Sequence, residues 1–165
     1  MLSTPVSFWN AIPIPGERLV YAAVHDISER KVVAEALRES EERFRLLVEG
    51  VREYSIILLD REGKEVSWNS GAERIKGYKA EDISGCHHSI FYLPEDQAQG
   101  RPALHMRMAV EHGQCENEGW RLRADGTRFW ANVLITALKD ETGKLRGFSK
   151  VTRDITERKL AEDAI

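Results

Sequence analysis

Alternation of apolar and polar positions is clearest over residues 128–138. There Phe129, Ala131, Val133, Ile135 and Ala137 form a wholly apolar row, and Trp130, Asn132, Leu134, Thr136 and Leu138 a mixed one. A period of two places these rows on opposite faces of a strand. The first row is expected in the core or lining a pocket. The second is expected on an outer face, where a helix or a partner subunit covers Trp130. Residues 54–59 are apolar but for Ser55 and short enough for a buried strand. Arg61-Glu62-Gly63-Lys64 turns the chain into a strand ending at Trp68, with Val66 and Trp68 on one face and Glu65 and Ser67 on the other. Runs at 116–123 and 144–152 read as two further strands, joined to 128–138 by hairpin turns at Asp125-Gly126 and at residues 140–143.

Helical signals lie between these strands. Ser70 followed by Glu73 predicts a capping box, in which hydroxyl and carboxylate satisfy each other's backbone amides. Gly77 ends that helix after two turns. Residues 79–83 give one more helical turn, broken by Gly85. Pro94 and Pro102 suit first helical positions. Leu104, Met108 and Ala109 would form the buried stripe of a helix running to His112, with Gly113 as its stop. Earlier in the chain, Val33, Leu37, Ser40, Phe44, Leu47 and Val51 fall at alternating four-three spacing over a helix expected at 27–50. That is a heptad seam with one polar position. Val33, Leu37, Phe44 and Leu47, with Trp130, are therefore the candidate dimer seam.

The chain also repeats itself. Residues 24–37, with Asp26-Ile27-Ser28-Glu29-Arg30, recur 128 residues later as 152–165, with Asp154-Ile155-Thr156-Glu157-Arg158. A Phe-Trp pair lies upstream of each copy, Phe8-Trp9 and Phe129-Trp130, and Pro15-Gly16 marks a turn in the first. Residues 1–26 are thus expected to be the closing hairpin of a preceding domain of the same type. A connector helix at 27–50, a domain at 51–154 and the start of a second connector at 155–165 follow. In each copy an aspartate N-cap with a glutamate three residues on would start the helix as a strand ends.

Composition narrows the function. With 24 basic and 27 acidic residues interleaved, and a net charge of −3, the chain offers no nucleic-acid surface. No apolar run approaches the roughly 20 residues that span a bilayer, so a cytoplasmic module without direct membrane contact is expected, within a parent protein that can carry membrane segments elsewhere. Cys86 and Cys115 are too few for a disulfide framework. With His87, His88, His105 and His112 they match no zinc spacing, so no metal is expected. His25 lacks the proline that follows a phosphoacceptor histidine. Glu35-Ala36-Leu37 has no metal-ligand set around it, and no glycine-rich nucleotide loop is present. No catalytic activity is expected of the chain itself.

The segment Trp68-Asn69-Ser70-Gly71-Ala72-Glu73-Arg74-Ile75-Lys76-Gly77-Tyr78 resembles the PAS (sensory box) family, whose pattern reads roughly W-N-x-G-A-E-x-I-x-G-Y. The resemblance continues through Gly85 to Asp96, Asp125 to Trp130, and Asp154 to Arg158. It implies an α+β fold: a five-stranded antiparallel sheet with short helices on its inner face, flanked by connector helices. Trp68, Ile75, His88, Phe91, Leu104, His105, Met108, Trp120, Phe129, Ala131 and Val133 are the candidates to line its pocket. It further implies a homodimeric sensory or relay module in a multi-PAS signalling protein such as a sensor histidine kinase. That module would act on output domains outside this chain, with or without a small ligand. Asp154, Ile155 and Thr156, and Asp26 and Ile27, are the expected relay residues. Light-sensing relatives place a reactive cysteine where this chain has His88, and Cys86 is two residues out of register. His105 falls about one turn later than the family's haem-ligating histidine. No cofactor is therefore expected, a flavin or haem sensor being the alternative and a ligand-free dimerisation spacer a third reading.

Overall fold

The computed structural model describes the backbone of residues 18–165 and side chains from residue 27 onward. The chain divides after Leu46 into two units, each described by itself. Helix α1, Arg18–Gly50, makes up the first and runs into the second. Residues 18–26, expected in the second strand of a hairpin remnant, are helical. A helix satisfies its own backbone groups, whereas a strand needs a neighbouring ladder. Asp26 and Ile27 accordingly lie inside α1 rather than at its start, and Ile27 is exposed. The rest of that expectation, with Phe8-Trp9 and Pro15-Gly16, lies outside the described residues. Along α1, Val33, Leu37, Phe44 and Leu47 are all between 58% and 72% exposed.

The second unit is a four-stranded antiparallel sheet of order β1-β4-β3-β2. Its strands are β1, Ser55–Leu59; β2, Gln114–Leu122; β3, Arg128–Lys139; and β4, Leu145–Asp154. Helices α2 (Ser70–Lys76), α3 (Ala80–Ile83), α4 (Pro94–Ala98) and α5 (Arg101–His112) and a 3-10 turn at His88–Phe91 connect β1 to β2. Helix α6, Thr156–Asp163, follows β4. Phe129, Ala131, Val133 and Ile135 are fully buried, as the alternation predicts, and pack with Ile57, Leu59, Ala72, Ile75, Ala109 and Phe148.

The expected fifth strand contracts to bridges at Lys64 and Glu65. Its side chains do the work its backbone would have done. The Leu58 amide donates to Ser67 Oγ and the Ile56 amide to Asn69 Oδ1, both at 2.9 Å, so the outer edge of β1 is satisfied without a continuous ladder. The cap of α2 shifts by one residue for the same reason. Asn69, not Ser70, is its N-cap, accepting from the Ala72 amide, while Ser70 Oγ donates to the Glu49 carbonyl. Gly77 ends α2 in the left-handed region at φ 79°. Gly71 has a different requirement: a Cβ there would collide with the Tyr54 carbonyl oxygen, so only glycine lets α2 lie this close to the chain entering β1.

Candidate functional site

Two structural features carry candidate chemistry, and strand β4 joins them. Its inward row is Phe148, Lys150, Thr152 and Asp154. Lys150 sits opposite Ile57 on one neighbouring strand and Ile135 on the other, both fully buried, so the sheet register itself delivers an ammonium into the core. The opposite wall adds more charge. Lys76, the last residue of α2, is turned inward just before the left-handed Gly77. Arg121 on β2 pairs with Phe129 and shares its inward face. Glu65 enters from the turn that Asp60 holds by accepting from the Glu62 and Lys64 amides. His88, fully buried, opens the 3-10 turn, which the preceding His87 caps by accepting from the Ser89 amide.

These groups gather around two adjacent rings. Lys76 Nζ lies 3.8 Å and Lys150 Nζ 5.2 Å from the centre of Phe91, and Arg121 Cζ is 4.2 Å from that of Tyr92. Lys150 Nζ is 3.4 Å from His88 Nδ1. The Tyr92 hydroxyl meets His105 Nδ1 at 3.0 Å. Yet Lys76 Nζ, Arg121 Nε, His88 Nε2, both Glu65 carboxylate oxygens, Ser55 Oγ and Thr152 Oγ1 are buried with no hydrogen-bond partner. Burial of an unpaired ion costs on the order of several kcal/mol, and it shifts every member of the group. It pushes the Glu65 carboxyl up to about 7 against the pull of Lys76 and Lys150. It brings Lys76 down to about 8, Glu65 opposing and Arg121 reinforcing, and carries Lys150 well below its ordinary value. His88 is held neutral by burial and the neighbouring Lys150, and His105 is lowered to about 4 by burial and Arg121.

The second feature is the end of β4. Asp154 Oδ1 accepts from the Thr156 amide at 3.0 Å, and its Oδ2 takes the Arg123 guanidinium at 2.8 Å. Burial works against this carboxyl's charge, but the hydrogen bonds from Thr156 and Arg123 hold it below the ordinary value. The Ile155 amide donates to the Trp130 carbonyl at 2.9 Å, and Thr156 Oγ1 accepts from the Trp130 amide at 3.0 Å. Strand β3 is thereby stitched to the first turn of α6. Ile155 takes the formal cap position, so Asp154 serves the first helical amide from one residue earlier than expected.

Of the expected pocket residues, Ile75, His88, Phe91, Phe129, Ala131 and Val133 come together in the core. Half-buried Trp68 stacks on Phe91 at 6.0 Å and donates its indole N–H to the Tyr78 carbonyl, and His105 reaches Tyr92. Three do not join them. Leu104 and Met108 are 40% and 38% exposed, because α5 turns the stripe of Pro102, Met106, Ala109 and Val110 toward the core instead. Trp120 pairs with Trp130 on the outer face, where the two rings meet edge-on at 5.3 Å and Lys159 covers Trp130 at 4.8 Å. The buried charges Glu65, Lys76, Arg121 and Lys150 are absent from the expected list. Lys150 had a visible signal, since it alternates with Phe148 and Thr152 through 144–152.

Comparison with known proteins sets this geometry in a family. The sequence profile described as a PAS domain matches residues 53–157. Two-component system protein A of Emericella nidulans is 51% identical over 121 residues, 73% of this chain and 18% of that protein. The sensor histidine kinase TmoS of Ectopseudomonas mendocina is 24% identical over 156 residues, 94% of this chain and 16% of that protein. The chain thus spans less than a fifth of the length of these two relatives. The crystal structure of a PAS domain from Colwellia psychrerythraea aligns with a TM-score of 0.65 at 24% identity, covering 72% of this chain and 98% of that one.

Proposed function

The chain belongs to the PAS domain family, and from that premise we propose that it is a sensory relay module: it dimerises through α1 and passes changes in its core through β4 into α6, toward an output domain elsewhere in the parent protein. Its relatives are two-component sensors and regulators, which supports a parent of that kind. One observation carries the reading. Lys150 in the core and Asp154 at the start of α6 lie four residues apart on one face of one strand, so a displacement of β4 moves both. A ligand would drive the change by binding two arrangements of that strand unequally.

In this reading the module works without flavin or haem. Cys86 Sγ lies against the Asp82 carbonyl at 3.8 Å on the exposed side, away from the core. Lys76, Lys150 and Arg121 are buried in the core, and their charge suits a flat apolar ring system poorly. Asp154→Ala in the full-length parent protein tests the relay. Loss of the cap and the half-exposed ion pair costs about 1–2 kcal/mol. The domain should therefore stay folded, with a thermal midpoint only a few degrees lower, while the parent's output loses its response to stimulus. An unchanged response would overturn the relay.

A further inference from the structure

We propose that the core of the sheet unit is a binding site for a small dianion, a dicarboxylate or hydrogen phosphate, held by Lys76, Lys150 and Arg121 beside the rings of Phe91 and Tyr92. The proposal rests on the sensory reading above and names the chemistry of its ligand. Charge is the first argument. Among the described residues, three buried basic side chains face one buried carboxyl, Glu65, so the core holds more basic groups than acidic ones. Asp96, the other carboxylate acting on Arg121, is engaged at the rim by Arg101 at 3.3 Å. Hydrogen bonding is the second. Lys76 Nζ, Arg121 Nε, Ser55 Oγ and Thr152 Oγ1 are buried donors with no acceptor among the described residues, and His88 Nε2 is likewise unpaired; the other two guanidinium nitrogens of Arg121 already donate to the Trp120 carbonyl and Asn117 Oδ1. Aromatic faces attract a cation but accept no strong hydrogen bond from it.

Glu65 does not meet this demand. Its two oxygens make no hydrogen bond, so it serves neither of the lysines nor Arg121 Nε around the two rings. A dianion would supply several acceptor oxygens and negative charge together, and charge-assisted bonds of this kind are the strong ones. Because burial also draws protons off Lys76 and Lys150, an arriving anion would restore them, and binding should take up protons from the buffer.

Isothermal titration of the 165-residue protein at about pH 7 and low salt decides the matter, with succinate, inorganic phosphate, neutral succinamide and sodium chloride as titrants. The expected result is saturable binding of succinate or phosphate, one anion per chain, with proton uptake and no response to succinamide or chloride. Whichever of the two dianions binds identifies the source class. Lys150→Met should weaken that binding by roughly tenfold or more, and Glu65→Gln should tighten it by removing the competing carboxylate. Circular dichroism establishes that each variant is folded, and Lys76→Met replaces Lys150→Met if the latter is not. Binding of neither dianion, equal binding of succinamide, or undiminished binding by the lysine variant would overturn the site. None of those results touches the relay, which Asp154→Ala tests without any added anion.

Discussion

Asn69 joins three stretches of backbone through one fully committed side chain. Its oxygen accepts from Ala72 and Ile56, and its Nδ2 faces the carbonyls of Val48, Val51 and Tyr54 at 3.1–3.2 Å. Asn69→Ala would orphan the Ile56 amide as well as uncap α2, so its cost should reach about 3 kcal/mol in denaturant unfolding, against about 1 for a simple cap. Ser70→Ala should stay near or below 1 kcal/mol. From sequence the two neighbours are equally good caps, and only the third partner, thirteen residues upstream in β1, decides between them. Glu65 makes a second residue-scale prediction. Its folded pKa lies above the unfolded value, so its contribution is complete below about 4.5 and lost as pH rises through about 7. Its surroundings, Lys76, Lys150, His88, His105 and Arg121, also titrate or carry charge, so the variant must be compared with wild type at each pH. Glu65→Gln should match wild-type stability near pH 4 and exceed it by on the order of 2–3 kcal/mol near pH 8. An equal difference at both values would show that the carboxyl is not held protonated by burial. No period announced this residue: Glu65 faces in and Val66 faces out, the reverse of the hydrophobic expectation.

At the scale of elements, the strands read well where both neighbours are present. Strand β3 lies between β2 and β4, and its alternation mapped directly onto burial. Helix α5 read poorly, because two apolar stripes compete along it and the one that faces in carries Pro102 and Ala109 rather than Leu104 and Met108. The repeat was legible as a repeat but not as a structure. The second copy passes from strand to helix at Asp154, whereas the first is helical throughout, since the same residues follow whichever backbone partners exist. Helix α1 yields the prediction here. Its line of Val33, Leu37, Phe44 and Leu47, interrupted by Ser40, is exposed apolar surface of the kind a second helix would cover. Light scattering should find a dimer at micromolar concentration and a monomer for the Leu37→Asp, Phe44→Asp variant. A monomeric wild type would reduce the seam to an unpartnered helix face.

In the sheet unit as a whole, β4 is the floor of the charged core and, in the proposed relay, the lever on α6. It pairs with β1 on one side and β3 on the other, and β3 is itself bonded to Ile155 and Thr156, so the strand cannot shift without disturbing the first turn of that helix. The family pattern made this unit recognisable. The chemistry of its core was not, because buried charges look like surface charges until register places them. The most direct test is a double-mutant cycle read by amide hydrogen exchange over residues 156–160, using wild type, Lys150→Met, Asp154→Ala and the pair. The account predicts that Lys150→Met alters exchange in α6 and that Asp154→Ala removes this effect, leaving a clear interaction term. If Lys150→Met changes exchange in the core while residues 156–160 exchange as in wild type, β4 does not carry the signal.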